Sequence, residues 1–374
     1  MPGSRIRSRR LGALRDRLLR DERFRRLAMR WPGLRTIARR RARHVFDLCA
    51  GFVYSQVLSA AVELGLFDAL AEGPKSREAL ATAVGLAPDP LERLLGAAIA
   101  LELVERRTGD VYGLGPIGAA IAGQPAVTAM IRHHARLYAD LADPAALLRG
   151  ERARSSTAQF WPYAGSEDPR GLAPERVAEY SRLMAATQPL IADQVLAAHR
   201  FAQHRSLLDV GGGEGAFLLA AAADAPALEL GLFDLPSVAE RAARRLEEVG
   251  RTRRCRIHSG DFFRDPLPTG YEAISLIRIL HDHDEERVRT LLANVRAALA
   301  PGGTLIVAEP LAGTAGAEPV GDAYFAFYLL AMGSGRARSR EALSRLVREA
   351  GFGDVRFPRT ALPLQTSVLV ARAR

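Results

Sequence analysis

The sequence predicts an α/β protein: a doubly wound, mostly parallel sheet over residues 201–374, preceded by a mainly helical, winged-helix-like unit. Three observations predict it. Apolar runs at 207–210, 228–233, 256–259, 272–280 and 304–308 alternate with helical segments near 214–224, 237–249, 285–300 and 339–350, and Gln365 to Ala371 supplies a closing strand. Ahead of Phe201 the apolar spacing is helical almost throughout. The run Leu207-Leu208-Asp209-Val210 ends in glycines at 211, 212, 213 and 215, the pattern of a strand turning sharply into a helix beneath a ligand.

Taken from the N-terminus, residues 1–43 form a basic arm. Arg5 to Arg43 holds 16 arginines against Asp16, Asp21 and Glu22, a net of +13, which leaves about −3 for the rest of a chain of net charge +10. Interspersed Leu11, Leu14, Leu18, Leu19, Phe24, Leu27, Met29, Trp31, Leu34 and Ile37 point to amphipathic helices. Such helices lie on an anionic membrane surface or bind acidic polymers; a plain solvated extension is the alternative. Residues 44–123 come next. Val53 to Phe67 reads as a long apolar helix closed near Gly65, and the helices Ser76–Ala81 and Asp89–Leu95 each open on a capping residue. Leu101 to Tyr112, with Gly109-Asp110 at its turn, predicts a hairpin wing. Three helices and a wing look like a unit that elsewhere reads DNA. Residues 124–200 are a second helical stretch, broken by a loop from Arg149 to Pro174 where prolines and glycines cluster.

At 374 residues, 48% hydrophobic and 25% charged, the composition is that of a soluble globular protein able to bury a sizeable core. No uninterrupted apolar run reaches the roughly 18 residues of a membrane span. The longest approach, Leu48 to Val62, contains Tyr54, Ser55 and Gln56. The N-terminus shows no apolar signal core, and two cysteines, Cys49 and Cys255, make neither a disulfide framework nor a metal knuckle. A cytoplasmic location is the expectation.

Asp234 ends the next apolar run, 25 positions after Asp209, where a parallel strand presents a carboxylate to a ribose diol. Gly211, Gly213 and Ala216 also satisfy a dinucleotide pattern, so a dehydrogenase has to be weighed. Asp209 and Asp261 argue against a pyrophosphate, which extra carboxylates would repel. They suit a cofactor carrying an ammonium, a sulfonium and an adenine amine, which is S-adenosylmethionine. Against a ligand role, Asp209 can cap a turn and Asp261 can begin a loop.

Ile277-Arg278-Ile279-Leu280-His281-Asp282-His283-Asp284 follows the fourth strand, at the carboxyl edge where open α/β sheets bind ligands. A sulfonium is already a strong electrophile, so a transferase needs positioning and a base. His281 is the candidate base by location, with His283 its competitor and a helix-capping histidine the structural alternative. The alternating histidines and aspartates also match metal ligands, without a cysteine cluster or helical His pair to support them. Glu309, ending Thr304-Leu305-Ile306-Val307-Ala308, can hold the other imidazole nitrogen or cap the loop that follows.

Asp209-Val210-Gly211-Gly212-Gly213, Phe233-Asp234-Leu235-Pro236, Gly260-Asp261-Phe262-Phe263, Leu280-His281-Asp282 and Pro301-Gly302-Gly303 together resemble the S-adenosylmethionine O-methyltransferases shared by plant phenylpropanoid enzymes and bacterial tailoring enzymes. The resemblance covers about residues 45 to 374. It implies a seven-stranded Rossmann-like methyltransferase sheet and a winged-helix-like front part that makes an intertwined homodimer instead of binding nucleic acid. By it Asp209, Gly211 and Gly213 contact the cofactor's methionine end, Asp234 its ribose, Asp261 and Phe262 its adenine, with Leu235 and Arg278 counted among the cofactor contacts. His281 deprotonates the acceptor hydroxyl and Glu309 orients it. Met184 matches a methionine that packs on the acceptor, although the sequence alone favours a core methionine. A second orienting Glu is usual before the last helix; here Arg340 stands in its place and Glu341 beside it.

Within that class the sequence is most similar to the bacterial carotenoid hydroxyl O-methyltransferases of phototrophs, which methylate the tertiary 1-hydroxyl of acyclic carotenoids. Arg30-Trp31-Pro32-Gly33, His44 to Gln56 and the doubled His281-Asp282-His283-Asp284 carry that likeness. It implies a small lipophilic hydroxylated substrate and an enzyme that visits the inner face of the cytoplasmic membrane, for which the arm supplies charge. An aromatic or polyketide acceptor, and a cofactor-sensing nucleic-acid-binding regulator, are the competing readings.

Overall fold

The structure is a computed structural model that describes residues 16–151, 155–161, 174–250, 254–363 and 366–374. The first 15 residues of the arm and most of the expected Arg149–Pro174 loop lie outside these residues. The chain packs as two compact units, Met1–Gly123 and Gln124–Arg374.

In the first unit a short helix, Glu22–Arg30, opens on Asp21, whose carboxylate accepts from the Phe24 amide at 2.9 Å. Trp31 breaks it, and Pro32 starts a second helix that runs unbroken to Glu63. The arm and the following domain therefore share one helix through the boundary expected at 43/44. It ends where Gly65 takes φ 69°, a left-handed turn that suits glycine. By length and composition Pro32–Glu63 is apolar enough to cross a membrane, with 11% of its most apolar stretch buried. The sequence expectation of no such segment rested on uninterrupted runs, and isolated polar residues such as Ser55 and Gln56 do not lower the average enough to exclude it. Helix Arg77–Val84 is capped by Ser76, as expected. Helix Pro88–Ala100 begins one residue earlier than Asp89, because a proline fits the first turn, where its missing N–H costs nothing, and Asp89 becomes a first-turn acid. The wing is present: β2 (Val104–Arg107) and β3 (Val111–Leu114) form a hairpin, and β1 (Lys75–Ser76) adds to β3.

The second unit is built on a seven-stranded sheet. β4 (Ser206–Val210), β5 (Glu229–Asp234), β6 (Cys255–Ser259), β7 (Ala273–Ile277) and β8 (Thr304–Glu309) are parallel, and β9 (Phe352–Arg356) and β10 (Ser367–Ala373) run antiparallel to their neighbours, in the order β6-β5-β4-β7-β8-β10-β9. Sequence periodicity missed β9. It holds Gly353 and a left-handed Asp354, and its register with β10 slips between Val370 and Arg372, so pairing at the sheet edge sustains it more than its own pattern does.

Alternate strand residues feed two cores. Leu208, Val210, Ile274, Leu276, Leu305 and Val307 pack under helices Glu285–Ala298 and Arg340–Glu349. Leu207, Leu230, Leu232, Ile306 and Ala308 pack under helices Ala216–Asp224, Pro236–Glu248 and the long Pro174–Ala198. Burial on both faces explains why these strands read as continuous apolar runs. It also makes Pro174–Ala198, which the sequence placed in a separate helical segment, part of one sheet face. A third cluster joins Leu137, Phe160, Trp161 and Leu183 to Tyr328 and Met332 on helix Phe325–Met332. The strand order reverses at β4, with β5 on one side and β7 on the other, which opens a crevice at the carboxyl ends of the strands.

Candidate active site

The glycine turn follows β4 into that crevice. Gly211 takes φ 71° and donates to the Phe233 carbonyl at 2.8 Å; a Cβ there would lie 2.4 Å from Ile279 Cδ1, so any other residue would both strain the left-handed backbone and push the Ile279 side chain aside. Asp234 fastens the turn from the next strand, accepting from Gly213 N at 2.8 Å and Leu235 N at 2.7 Å. Asp209 is buried under the turn and accepts from Ser275 Oγ at 2.5 Å. Burial pushes Asp209 up to about 7, against the Ser275 hydrogen bond, and Asp234 up to about 6, against its two amide bonds. Two buried acids converging on a glycine turn at the ends of adjacent strands suit a ligand that brings an ammonium to one and a ribose diol to the other, as S-adenosylmethionine does. The residues fit that cofactor.

Asp261 begins a loop, its Oδ1 accepting from Phe263 N at 2.9 Å. Together with Phe262, Asp209, Gly211, Gly213, Asp234, Leu235, Met184 and Arg278 it lines one cavity of about 610 Å³. His283 also lines it, edge-on to Phe263 at 4.9 Å and to Phe262 at 5.8 Å. Burial, then Arg287 nearby, lowers His283 to about 3, so its imidazole stays neutral.

His281 sits on a short 3₁₀ turn, Leu280–Asp282, and is 6% exposed. Glu309 holds this turn together. Its Oε1 accepts from the amides of Ile279 at 3.0 Å and Leu280 at 2.7 Å, and its Oε2 meets His281 Nδ1. The same carboxylate thus caps the turn after β7 and orients the ring; the loop it caps is not the one following Glu309 that the sequence offered. Nε2 stands 3.1 Å from Asp282 Oδ1, and it is Asp282 rather than His281 that lines the cavity. Burial opposes an imidazolium, but Asp282 and then Glu309 outweigh it, and the His281 pKa rises above its ordinary 6.5. Burial raises Asp282 itself to about 6. From sequence, Asp282 reads only as a metal ligand and as part of the Leu280-His281-Asp282 motif; its position beside the candidate base was the signal for a place in the cavity.

Two further placements differ from expectation. Glu341 is exposed in the first turn of its helix and bonds Ser339, so it does not orient the ring. Arg338 instead reaches the catalytic turn, donating to the carbonyls of Leu280 at 2.7 Å and His283 at 2.6 Å. Arg278, counted with the cofactor contacts, has φ 61° and sends its guanidinium the other way, to Thr187 Oγ1 at 2.8 Å and Met184 Sδ at 3.0 Å on helix Pro174–Ala198. Ser181, Ala185 and Gln188 of the same helix also line the cavity, as do Trp161 and Met332. Trp161 Nε1 can only donate, so Tyr328 Oη accepts there at 3.0 Å and offers its own proton to His133 Nε2 at 2.6 Å. Among the described residues no three His, Cys, Asp or Glu side chains are grouped as metal ligands.

The O-methyltransferase domain model matches residues 138–353, and the O-methyltransferase dimerisation domain model matches residues 46–122. The chain belongs to the O-methyltransferase family. It is 46% identical to a demethylspheroidene O-methyltransferase of Cereibacter sphaeroides, over 93% of this chain and 92% of the relative, and 43% identical to the Rhodobacter capsulatus enzyme of that name, over 95% and 88%. A structure of human N-acetylserotonin methyltransferase in complex with S-adenosylmethionine superposes with a TM-score of 0.74 at 27% identity, covering 89% of this chain and 97% of that one. The chain is therefore an S-adenosylmethionine-dependent O-methyltransferase, and its winged-helix-like unit is a dimerisation domain. The dehydrogenase reading of the glycine turn falls away with that.

Proposed function

We propose that this O-methyltransferase acts on the tertiary 1-hydroxyl of acyclic carotenoids, with His281 as general base, in a homodimeric enzyme of the cytoplasm. One observation carries the reading: a histidine clamped by a buried carboxylate at a strand end, beside a cavity with buried acids on one side and Met184, Trp161 and Met332 on the other. The relatives' names support the acceptor, and Trp161, Met184, Ala185 and Met332 offer apolar surface to a hydrocarbon chain, with Ser181 and Gln188 beside them for a polar end.

Bound S-adenosylmethionine supplies an electrophilic methyl group on a sulfonium. Asp209, the amides of the glycine turn and Asp234 hold its methionine and ribose, while Asp261, Phe262 and His283 enclose the adenine. Leu235 packs beside the ribose. Met184 and Trp161 hold the acceptor chain, and Arg278 fixes the Met184 thioether. As the O–CH₃ bond forms and the S–CH₃ bond breaks, the hydroxyl proton goes to His281 Nε2. Asp282 stands where that hydroxyl arrives and stabilises the imidazolium that results, and Glu309 keeps the ring's basic nitrogen facing it. A tertiary alcohol is a far weaker acid than a phenol, so proton removal accompanies transfer, and a held base contributes roughly 10²–10⁴-fold.

Incubation with labelled S-adenosylmethionine and a panel of 1-hydroxy-carotenoids, phenols and polyketide hydroxyls tests the acceptor. Label on the carotenoid is expected; label on phenols or polyketides alone removes the carotenoid reading and leaves the O-methyltransferase intact.

A further inference from the structure

The arm is unused by the reaction, and its described part presents an unusual surface. Between Arg17 and Arg43 stand eleven arginines against Asp21 and Glu22. On helix Glu22–Arg30, Ala28 is buried and Phe24 partly so, facing the helix that follows, while Arg23, Arg26 and Arg30, spaced three and four apart, form a stripe on the far side. Arg39, Arg40 and Arg43 continue the exposed cationic face on Pro32–Glu63. Arg26 and Arg43 lie 3.5 and 3.9 Å from Glu22 and Asp47, and these open-surface pairs leave the excess positive. Large apolar side chains stand among the cations: Trp31 is 64% exposed, Leu27 54% and Ile37 52%.

We propose that residues 17–43 form a docking surface for the anionic headgroup layer of a lipid bilayer. Charge complementarity selects an anionic partner, and the apolar side chains select its kind. A phosphate-lined nucleic acid gives Leu27, Trp31 and Ile37 nothing to enter, whereas the boundary between headgroups and acyl chains takes both arginine stems and apolar tips. A second copy of the chain would bring like charge against like charge. The matched dimerisation domain, moreover, begins only at residue 46. The docking surface rests on the arm's own chemistry; joined to the carotenoid reading, it brings the enzyme to where such an acceptor dissolves.

The full-length protein, without acceptor, is sedimented with vesicles of phosphatidylcholine alone or with about 30% phosphatidylglycerol, across a salt series. At least about tenfold more protein is expected on the anionic vesicles, released by roughly 0.5 M salt, with a blue shift of Trp31 emission that W31F removes. Replacing Arg23, Arg26, Arg30, Arg39, Arg40 and Arg43 by Gln abolishes the binding, and replacing the same six by Lys restores it, with the thermal melt of both variants checked against the parent. Equal binding to neutral and anionic vesicles overturns the proposal, as does full binding by the Gln variant. So does a change of oligomeric state in that variant with no vesicle binding by the parent, or a preference for duplex DNA over anionic vesicles at equal salt. Turnover on a detergent-dispersed acceptor is expected to be equal in parent and Gln variant. A loss of acceptor methylation in both would count against the carotenoid reading and leave the docking surface standing.

Discussion

The cofactor wall and the acceptor wall of the one cavity are built in opposite ways. The cofactor wall is backbone: the glycine turn, the amides of Gly213 and Leu235, and acids at the ends of adjacent parallel strands. The proposed acceptor wall is side chain: Met184 against Arg278, and Trp161, which donates to Tyr328 and is joined through it to His133 outside the lining. A backbone cradle needs little beyond glycines at fixed positions, so many acceptors can be served by one cofactor wall. A side-chain wall can be changed residue by residue while the sheet stays as it is. The seam between the two is the turn that carries His281, which puts Asp282 into the cavity lining and sets the His281 ring edge-on at 5.7 Å to Phe325 of helix Phe325–Met332.

The largest test is at that seam. His281→Ala is expected to lower turnover by about 10²–10⁴-fold with cofactor affinity unchanged by calorimetry; unaltered turnover would move the base to another group. Next in size, Gly211→Val should weaken cofactor binding by roughly 100-fold or more, since its Cβ meets Ile279 in a left-handed backbone conformation. Retained affinity would show that this wall does not depend on the turn. Tyr328→Phe removes the hydrogen bonds to Trp161 and His133 and should cost about 1–3 kcal/mol in denaturant unfolding, with cofactor affinity intact. A parallel loss of cofactor affinity would mean that the two walls are coupled. The smallest effect is a pH displacement. Because Asp282 and Glu309 favour the imidazolium, His281 becomes a base only above its ordinary 6.5, and turnover should rise with pH through that raised value. Glu309→Gln removes one of the two carboxylates, so the rising limb of kcat against pH should move to lower pH, whatever it does to the maximum; a limb that stays put would assign it to another group.

The two walls also differ in how far they can be read from sequence. Asp209, the glycines and Asp234 lie within a single strand-turn-helix-strand unit, and the spacing of that unit alone predicts their convergence. His281 and Glu309 end neighbouring strands, so parallel topology brings them together once the strand order is granted. Asp282 was legible as a residue but not as the one facing the cavity, because a 3₁₀ turn rather than an extended loop sets which side chain points inward. Arg338 reaching the carbonyls of Leu280 and His283, and Tyr328 bonding residues 167 and 195 positions away, leave no local signal at all.

The sequence by itself determined the alternation of strands and helices, the glycine turn and the placing of the candidate base, His281, just past a strand end. Each of these is a matter of periodicity, glycine conformation and local spacing, all carried by neighbours in the chain. Only the tertiary structure decided that Pro174–Ala198 closes a sheet face, that a Glu309 carboxylate both caps and orients, that Arg278 turns to the acceptor side, and that β9 exists. Those outcomes depend on which distant side chains can satisfy a buried charge or fill a sheet edge, and burial is a property of the folded chain.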